Sequence, residues 1–271
     1  MSVKIISANS IFNENAIVLS QKFKWKLETN FDPQPNDLYI VLGAHELANQ
    51  LLEIQLWKNN SFGYIILNSE QIHSQFMKNK YYLSLMKKNV VCDYNTLTSA
   101  YLKETHDIKV LSYFFFEFLR FDIKKERVYD IAFIGSRTPK REKIMKDLQE
   151  KHPDLKFYVD FDWKHRAPES MTDILHQCKT VLNIPYYENN PIESHRIHKA
   201  LSCGCKVISM PSADKDANEF YSKFITITDD IDLSIEGIEP DYETLIKTLS
   251  QKFYPHLTFV INEIHTKLLS L

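Results

Sequence analysis

Between Asn183 and Ser209 the chain reads Asn-Ile-Pro-Tyr-Tyr-Glu-Asn-Asn-Pro-Ile-Glu-Ser-His-Arg-Ile-His-Lys-Ala-Leu-Ser-Cys-Gly-Cys-Lys-Val-Ile-Ser. His195, Arg196 and Lys199 fall in the opening turns of a helix there. The first N–H groups of a helix have no internal partner, and its dipole places positive charge at that end, so the position favours phosphate. Cationic side chains oppose the same dipole, and a bound anion compensates them. The chemistry these residue types suit is therefore the holding of an anionic group. Glu193 has two readings. It is either a ligand contact or the carboxylate of a capping box, with Asn190 as N-cap and Pro191 at the first helical position. A Glu193–Arg196 pair on an exposed helix would contribute only ~0.2–0.5 kcal/mol. Ile197, Ala200 and Leu201 define the packed face, Gly204 closes the helix, and Cys205 to Ser209 restarts as a strand.

A second cationic turn precedes it. Gly135-Ser136-Arg137 follows an apolar run directly, with Lys140 and Arg141 in the first turn of the next helix. This resembles a phosphate-holding turn, although it is neither G-x-G-x-x-G nor a Walker A sequence, and a glycine after a strand is also simply a turn. In the first half, three polar groups stand just past apolar runs: Gly43-Ala-His45, Asn68-Ser-Glu70 and Asp93-Tyr94-Asn95. His45 reads as a general base or as a neutral histidine satisfied by backbone. Glu70 and Asp93 read as crevice residues or as helix-start residues. His195 and His198 lack a third residue at ligand spacing, so no metal site is expected. No Gly-x-Ser-x-Gly elbow supports a hydrolase.

These groups need elements to position them. Val3–Ile6, Leu38–Leu42, Phe62–Leu67, Val90–Cys92 and Lys109–Leu111 read as strands of the first half. Helical spacing covers 16–23, 44–57, 72–77, 81–87 and 97–103. The second half repeats the alternation, with strands at Tyr129–Ile134, Leu155–Val159, Thr180–Ile184, Cys205–Ser209 and Phe224–Ile227. Its helices are expected at Pro139–Glu150, Pro168–Cys178, after Asn190 and at Asp214–Tyr221. A helical pattern from Tyr242 to Leu271 is broken at Pro255. Alternation of this kind predicts an α/β protein of two Rossmann-like domains, with ligands at the carboxyl ends of parallel strands. The charged run Asp122–Arg127 marks the boundary, which gives domains over 1–124 and 125–250 and a C-terminal helix over 251–271.

The chain's 271 residues suffice for two such domains. With 44% hydrophobic residues, 25% charged and a net charge of −2, no excess of Lys and Arg points to nucleic acid. The four cysteines are scattered and read as reduced thiols of a cytoplasmic protein. No run approaches the ~20 apolar residues of a membrane span.

Over Tyr129–Ser209 the chain resembles the donor-binding domain of GT-B glycosyltransferases. Retaining members carry Glu-Gly-Phe-Gly, a short gap, then Glu-Ala-x-Ala-Cys-Gly-x-Pro-Val-Ile. The run Lys199-Ala-Leu-Ser-Cys-Gly-Cys-Lys-Val-Ile-Ser209 is similar to the closing part, and Glu188 stands near the first acid. Lys199 replaces the second acid, which in the family binds the donor ribose or sugar. Arg196 resembles the looser branch that includes spore-type and viral glycosyltransferases. The resemblance implies a GT-B architecture, two domains facing across a cleft with the C-terminal helix crossing back. It implies a nucleotide-sugar cosubstrate, a UDP-sugar in most such enzymes, with no metal cofactor. Gly135, Ser136, Arg137, Lys140, Glu188, Glu193, His195, Arg196 and Lys199 would then hold the donor. Gly43, Glu70, Asp93 and Tyr94 would face a glycan or glycoconjugate acceptor, with His45 and Glu193 as catalytic candidates. A nucleotide-sugar epimerase of the same fold, or a binding protein without catalysis, are the alternatives.

Overall fold

The computed structural model describes residues 2–28, 33–58, 62–120, 126–162, 168–233 and 237–268. The chain divides into two compact units, one made of Met1–Glu117 with Lys247–Leu271, the other of Phe118–Ile246. Of the expected boundary run Asp122–Arg127, residues 122–125 lie outside the described residues.

The first unit contains β1 (Val3–Ser7), α1 (Asn13–Phe23), β2 (Lys26–Leu27), β3 (Leu38–Leu42), α2 (Ala48–Trp57) and β4 (Gly63–Asn68). It continues with α3 (Lys80–Lys88), β5 (Val90–Asp93), α4 (Thr96–His106) and β6 (Val110–Tyr113). All six strands are parallel, in the order β2-β1-β3-β4-β5-β6. β3 is buried at every position, as a parallel strand covered on both faces must be. Tyr39, Val41, Tyr64 and Ile66 pack there against Leu51 of α2 and Tyr82 and Leu85 of α3.

The second unit holds β7 (Tyr129–Ile134), α5 (Pro139–Lys151), β8 (Phe157–Asp160), α6 (Pro168–Leu175) and β9 (Cys178–Asn183). It closes with α7 (Ser194–Ser202), β10 (Lys206–Ser209), α8 (Lys215–Tyr221) and β11 (Thr226–Ile227). These five strands are also parallel, in the order β11-β10-β9-β7-β8. Each sheet reverses direction once, between its first strand and its third: β1 beside β3, and β7 beside β9. At such a switch point the flanking connections leave in opposite directions and open a crevice beyond the strands' carboxyl ends. All four cysteines are buried thiols, none of them in a disulfide.

The expected elements differ from the observed ones in several places. Helix is expected from Ala44, but Glu46 N–H donates to the Gly43 carbonyl and Leu47 N–H to that of Ala44, so a tight turn precedes α2. Residues around Ile72–Met77 form only a 3-10 turn at Gln75–Lys78. The helix expected to reach Cys178 ends at Leu175, because Cys178 is already paired in β9. Pro255 does not interrupt α9 (Tyr242–Leu268). An internal proline costs about 3 kcal/mol or more, and burial of Leu257, Val260 and Ile261 offsets it. Tyr254 beside it packs against Phe115 at 4.8 Å with the rings tilted by 43°, and edge-on to Phe23 at 5.1 Å.

The largest correction concerns α7. It starts at Ser194, not after Asn190, and Glu193 makes no side-chain cap. The Asn190 carbonyl accepts from Ala213 N–H instead, which binds this loop to the one after β10.

Candidate functional site

At the β7–β9 switch point two arginines share one carboxylate. Arg141, in the first turn of α5, is 1% exposed. Its Nε and Nη2 donate to the Ile184 carbonyl at 3.0 and 2.5 Å, and its Nη1 donates to the Ser136 carbonyl at 2.9 Å. Nη2 also meets Glu193 Oε1 at 3.2 Å. One buried side chain thereby ties the turn after β7 to the loop after β9. Burial, then the nearby Arg196 charge, push the Arg141 guanidinium down to about 10, while Glu193 and Tyr186 act in the opposite sense. Arg196, in the first turn of α7, pairs with the other Glu193 oxygen and donates to Asn183 Oδ1 at 2.6 Å. Glu193 Oε1 additionally accepts from Tyr186 N–H at 3.0 Å. The capping reading of Glu193 fails because its carboxylate is engaged by two guanidinium groups and a loop amide.

Gly135 leaves the two guanidinium ends close clearance against the turn after β7. A Cβ there would lie 3.0 Å from Arg196 Nη2 and 3.2 Å from Arg141 Nη1. Two positive charges against one negative charge leave the centre with net charge +1, screened poorly where burial lowers the local dielectric. Such a centre is matched by an anion with several acceptor oxygens.

A pocket of about 300 Å³ adjoins the same loops, walled by Pro185, Tyr187, Met210 and Pro211, with Lys140 and Glu188 among its polar groups. Asn189, also in its lining, adopts φ +55°, a left-handed conformation that asparagine tolerates better than most residues. Lys140 joins the pocket to the arginine centre through the chain itself, since Arg141 follows it.

The structure thus groups Gly135, Ser136, Glu193 and Arg196 around Arg141, and sets Lys140 and Glu188 in the pocket. Three other candidates are engaged differently. Arg137 lies over Phe161 at 5.0 Å and pairs with Glu142 and, at 3.6 Å, with Asp162. Lys199 is buried, donates to Thr172 Oγ1 at 2.7 Å and lies 5.2 Å from the Phe118 ring centroid. His195 meets the same ring edge-on at 4.9 Å. Sequence reasoning did not place Phe133, whose ring backs both arginines at 5.3 and 5.7 Å, nor the Met210–Ala213 loop. A signal for the loop existed: Pro211 just past an apolar strand marks a carboxyl-end connection.

In the first unit, Gly43 has φ +72° and closely abuts Asn9 and Phe12, drawing the ends of β1 and β3 together. His45 is buried, with Nε2 at 3.2 Å from Glu70 Oε1 and 3.6 Å from Glu46 Oε1. The distances alone describe ion pairs. Burial nonetheless lowers the imidazole to about 4, so it is neutral near pH 7, with Nε2–H donating to Glu70. Glu70 is raised by burial and accepts from Ser74 Oγ at 2.5 Å. Asp93 is fully enclosed, bound by Asn68 Nδ2 at 2.7 Å and by Asn95 N–H and Nδ2 at 3.0 Å, and burial pushes its carboxyl up to about 7. It belongs to the core. Tyr94 packs its ring against Phe114 and Phe116.

Among the described residues no three His, Cys, Asp or Glu side chains are grouped to hold a metal ion, and no helix is long and apolar enough to cross a membrane. The chain matches no protein-family model and no curated protein. What the fold and site define is a two-unit, Rossmann-like α/β protein with a cationic centre at a sheet switch point.

Proposed function

We propose that the chain is a glycosyltransferase of the GT-B type, moving a sugar from a nucleoside diphosphate sugar to a hydroxyl acceptor. The observation that carries this reading is the Arg141–Glu193–Arg196 centre beside a pocket of about 300 Å³ at the carboxyl ends of β7, β9 and β10. That volume is at the lower end of the range for small-molecule sites and suits a nucleoside. In this assignment the nucleoside enters the pocket, Glu188 accepts from its hydroxyls, and the diphosphate extends past Lys140 toward Arg196. Guanidinium and ammonium groups then stabilise the charge that develops on the leaving diphosphate, which is the role a divalent cation plays elsewhere. The donor is taken as a uridine nucleotide, and the first unit as the acceptor side, with a glycan or glycoconjugate as acceptor. If the reaction inverts the anomeric centre, His45 is the base, held by Glu70.

Calorimetric titration with a panel of nucleoside diphosphate sugars tests donor binding. Release of nucleoside diphosphate, followed with and without glycan acceptors, separates transfer from epimerisation or simple binding. Transfer predicts release that depends on acceptor. Failure of every nucleotide to bind would sink the reading.

A further inference from the structure

Arg141 and Arg196 treat Glu193 differently. Arg141 divides its donors between two backbone carbonyls and Glu193, so it is fixed within the fold. Arg196 is 17% exposed at its side chain and is fixed by Nη1 alone, to Asn183 and to Glu193; its Nη2 points toward Gly135. Glu193, in turn, has Oε1 held by Arg141 at 3.2 Å and by the Tyr186 amide, and Oε2 held by Arg196 with a longer contact of 3.4 Å from Arg141. An incoming anion therefore meets a guanidinium that already has a carboxylate partner, and that carboxylate cannot leave because Arg141 and the loop amide retain it.

We propose that Glu193 is a specificity-determining residue of the anion site, a resident carboxylate that excludes singly bridging anions and admits diphosphates. This rests on the reading of the β7–β9 switch point as the phosphate site. A single phosphate gains little by replacing one carboxylate on Arg196 and is repelled by the Glu193 charge that stays behind. A diphosphate gains contacts on Arg196 and on Lys140 together, and its second phosphate lies farther from Glu193. The same arrangement makes Glu193 a positioning residue for Arg196 and for the Tyr186 loop. It is not a group that touches the sugar.

The test uses inorganic phosphate and inorganic pyrophosphate as probes of the full chain, titrated by calorimetry at fixed ionic strength. Wild type is expected to prefer pyrophosphate by at least about tenfold, the size of one further charge-assisted hydrogen bond. Glu193→Gln should tighten phosphate more than pyrophosphate and reduce the preference severalfold. Glu193→Asp, which keeps the charge and shortens its reach to Arg196, should shift the preference in the same direction by less, and it serves if the glutamine variant does not fold. Weaker binding of both anions by a folded Glu193→Gln, or an unchanged ratio in both variants, overturns the proposal. Absence of binding by either anion to wild type overturns it together with the phosphate-site reading. Wild-type binding with an unchanged ratio overturns the proposal alone.

Discussion

Arg141 and Arg196 lie against one ring, with their guanidinium carbons 5.3 and 5.7 Å from the centroid of Phe133. They come from the first turns of two different helices, on either side of the β7–β9 switch point. Like charges this close repel, and the pair is tolerated because Phe133 offers a π face and Glu193 a carboxylate. The geometry gives the arginines different fates on mutation. Arg196→Ala should weaken nucleoside diphosphate binding by about 1.5–3 kcal/mol if it contacts phosphate, with little change in the unfolding midpoint. Arg141→Ala should instead lower stability by about 3–5 kcal/mol, because it leaves the Ile184 and Ser136 carbonyls without this donor and takes away one of the two guanidinium partners of Glu193. Urea titration beside calorimetry distinguishes them. A folded Arg196→Ala protein of unchanged affinity would return Arg196 to the role of a surface pair.

Gly135→Ala probes the same centre from the backbone side. The added methyl would sit 3.0–3.2 Å from both guanidinium termini and from Phe133. Arginine ends shift by a few tenths of an ångström at small cost, so stability should change by less than about 1 kcal/mol. The displaced Arg196 should bind pyrophosphate severalfold more weakly. Equal affinity for pyrophosphate would show that Gly135 spaces the turn without shaping the anion site.

The order of elements was largely legible in the sequence. The apolar run Tyr129–Ile134 is β7 to the residue, and the Gly204 turn is where it was expected, at φ +68°. These depend on local pattern. The start of α7 was not legible, because Asn190, Pro191 and Glu193 satisfy a capping pattern locally while Arg141, 52 positions upstream, takes the Glu193 carboxylate. Asp93 was likewise expected in a crevice. Whether a carboxylate past a strand end faces water or is enclosed depends on Asn68 and Asn95, whose roles only the assembled sheet reveals.

Stability should vary with pH through two buried groups of the first unit acting in opposite senses. His45 falls from 6.5 to about 4 on folding. Between those values the unfolded chain binds a proton that the folded chain does not, so this contribution rises with pH from about 4 to 6.5, by about 3 kcal/mol at one unit per 1.36 kcal/mol. Asp93 rises from 3.8 to about 7. Over that interval the folded chain holds the extra proton, and its contribution is lost as pH increases. Urea midpoints from pH 4 to 8 should therefore decline more steeply with pH in His45→Gln than in wild type, and less steeply in Asp93→Asn. Parallel curves for all three proteins would contradict these assignments.

Lys199 occupies the place where the resembled family carries an acid, and its surroundings explain why restoring that acid should fail. The side chain is 3% exposed, with its ammonium on Thr172 Oγ1 at 2.7 Å and 5.2 Å from the Phe118 ring centroid. An aromatic face carries partial negative charge, so it attracts an ammonium and repels a carboxylate. Lys199→Glu would place a shorter, oppositely charged group in an enclosure built for a cation. Loss of about 3 kcal/mol or more is expected, the range for an uncompensated buried charge. Far-UV circular dichroism with urea titration reads it directly. If the variant is as stable as wild type and binds nucleoside diphosphate more tightly, position 199 faces the donor after all, and the enclosure around Phe118 opens to admit it.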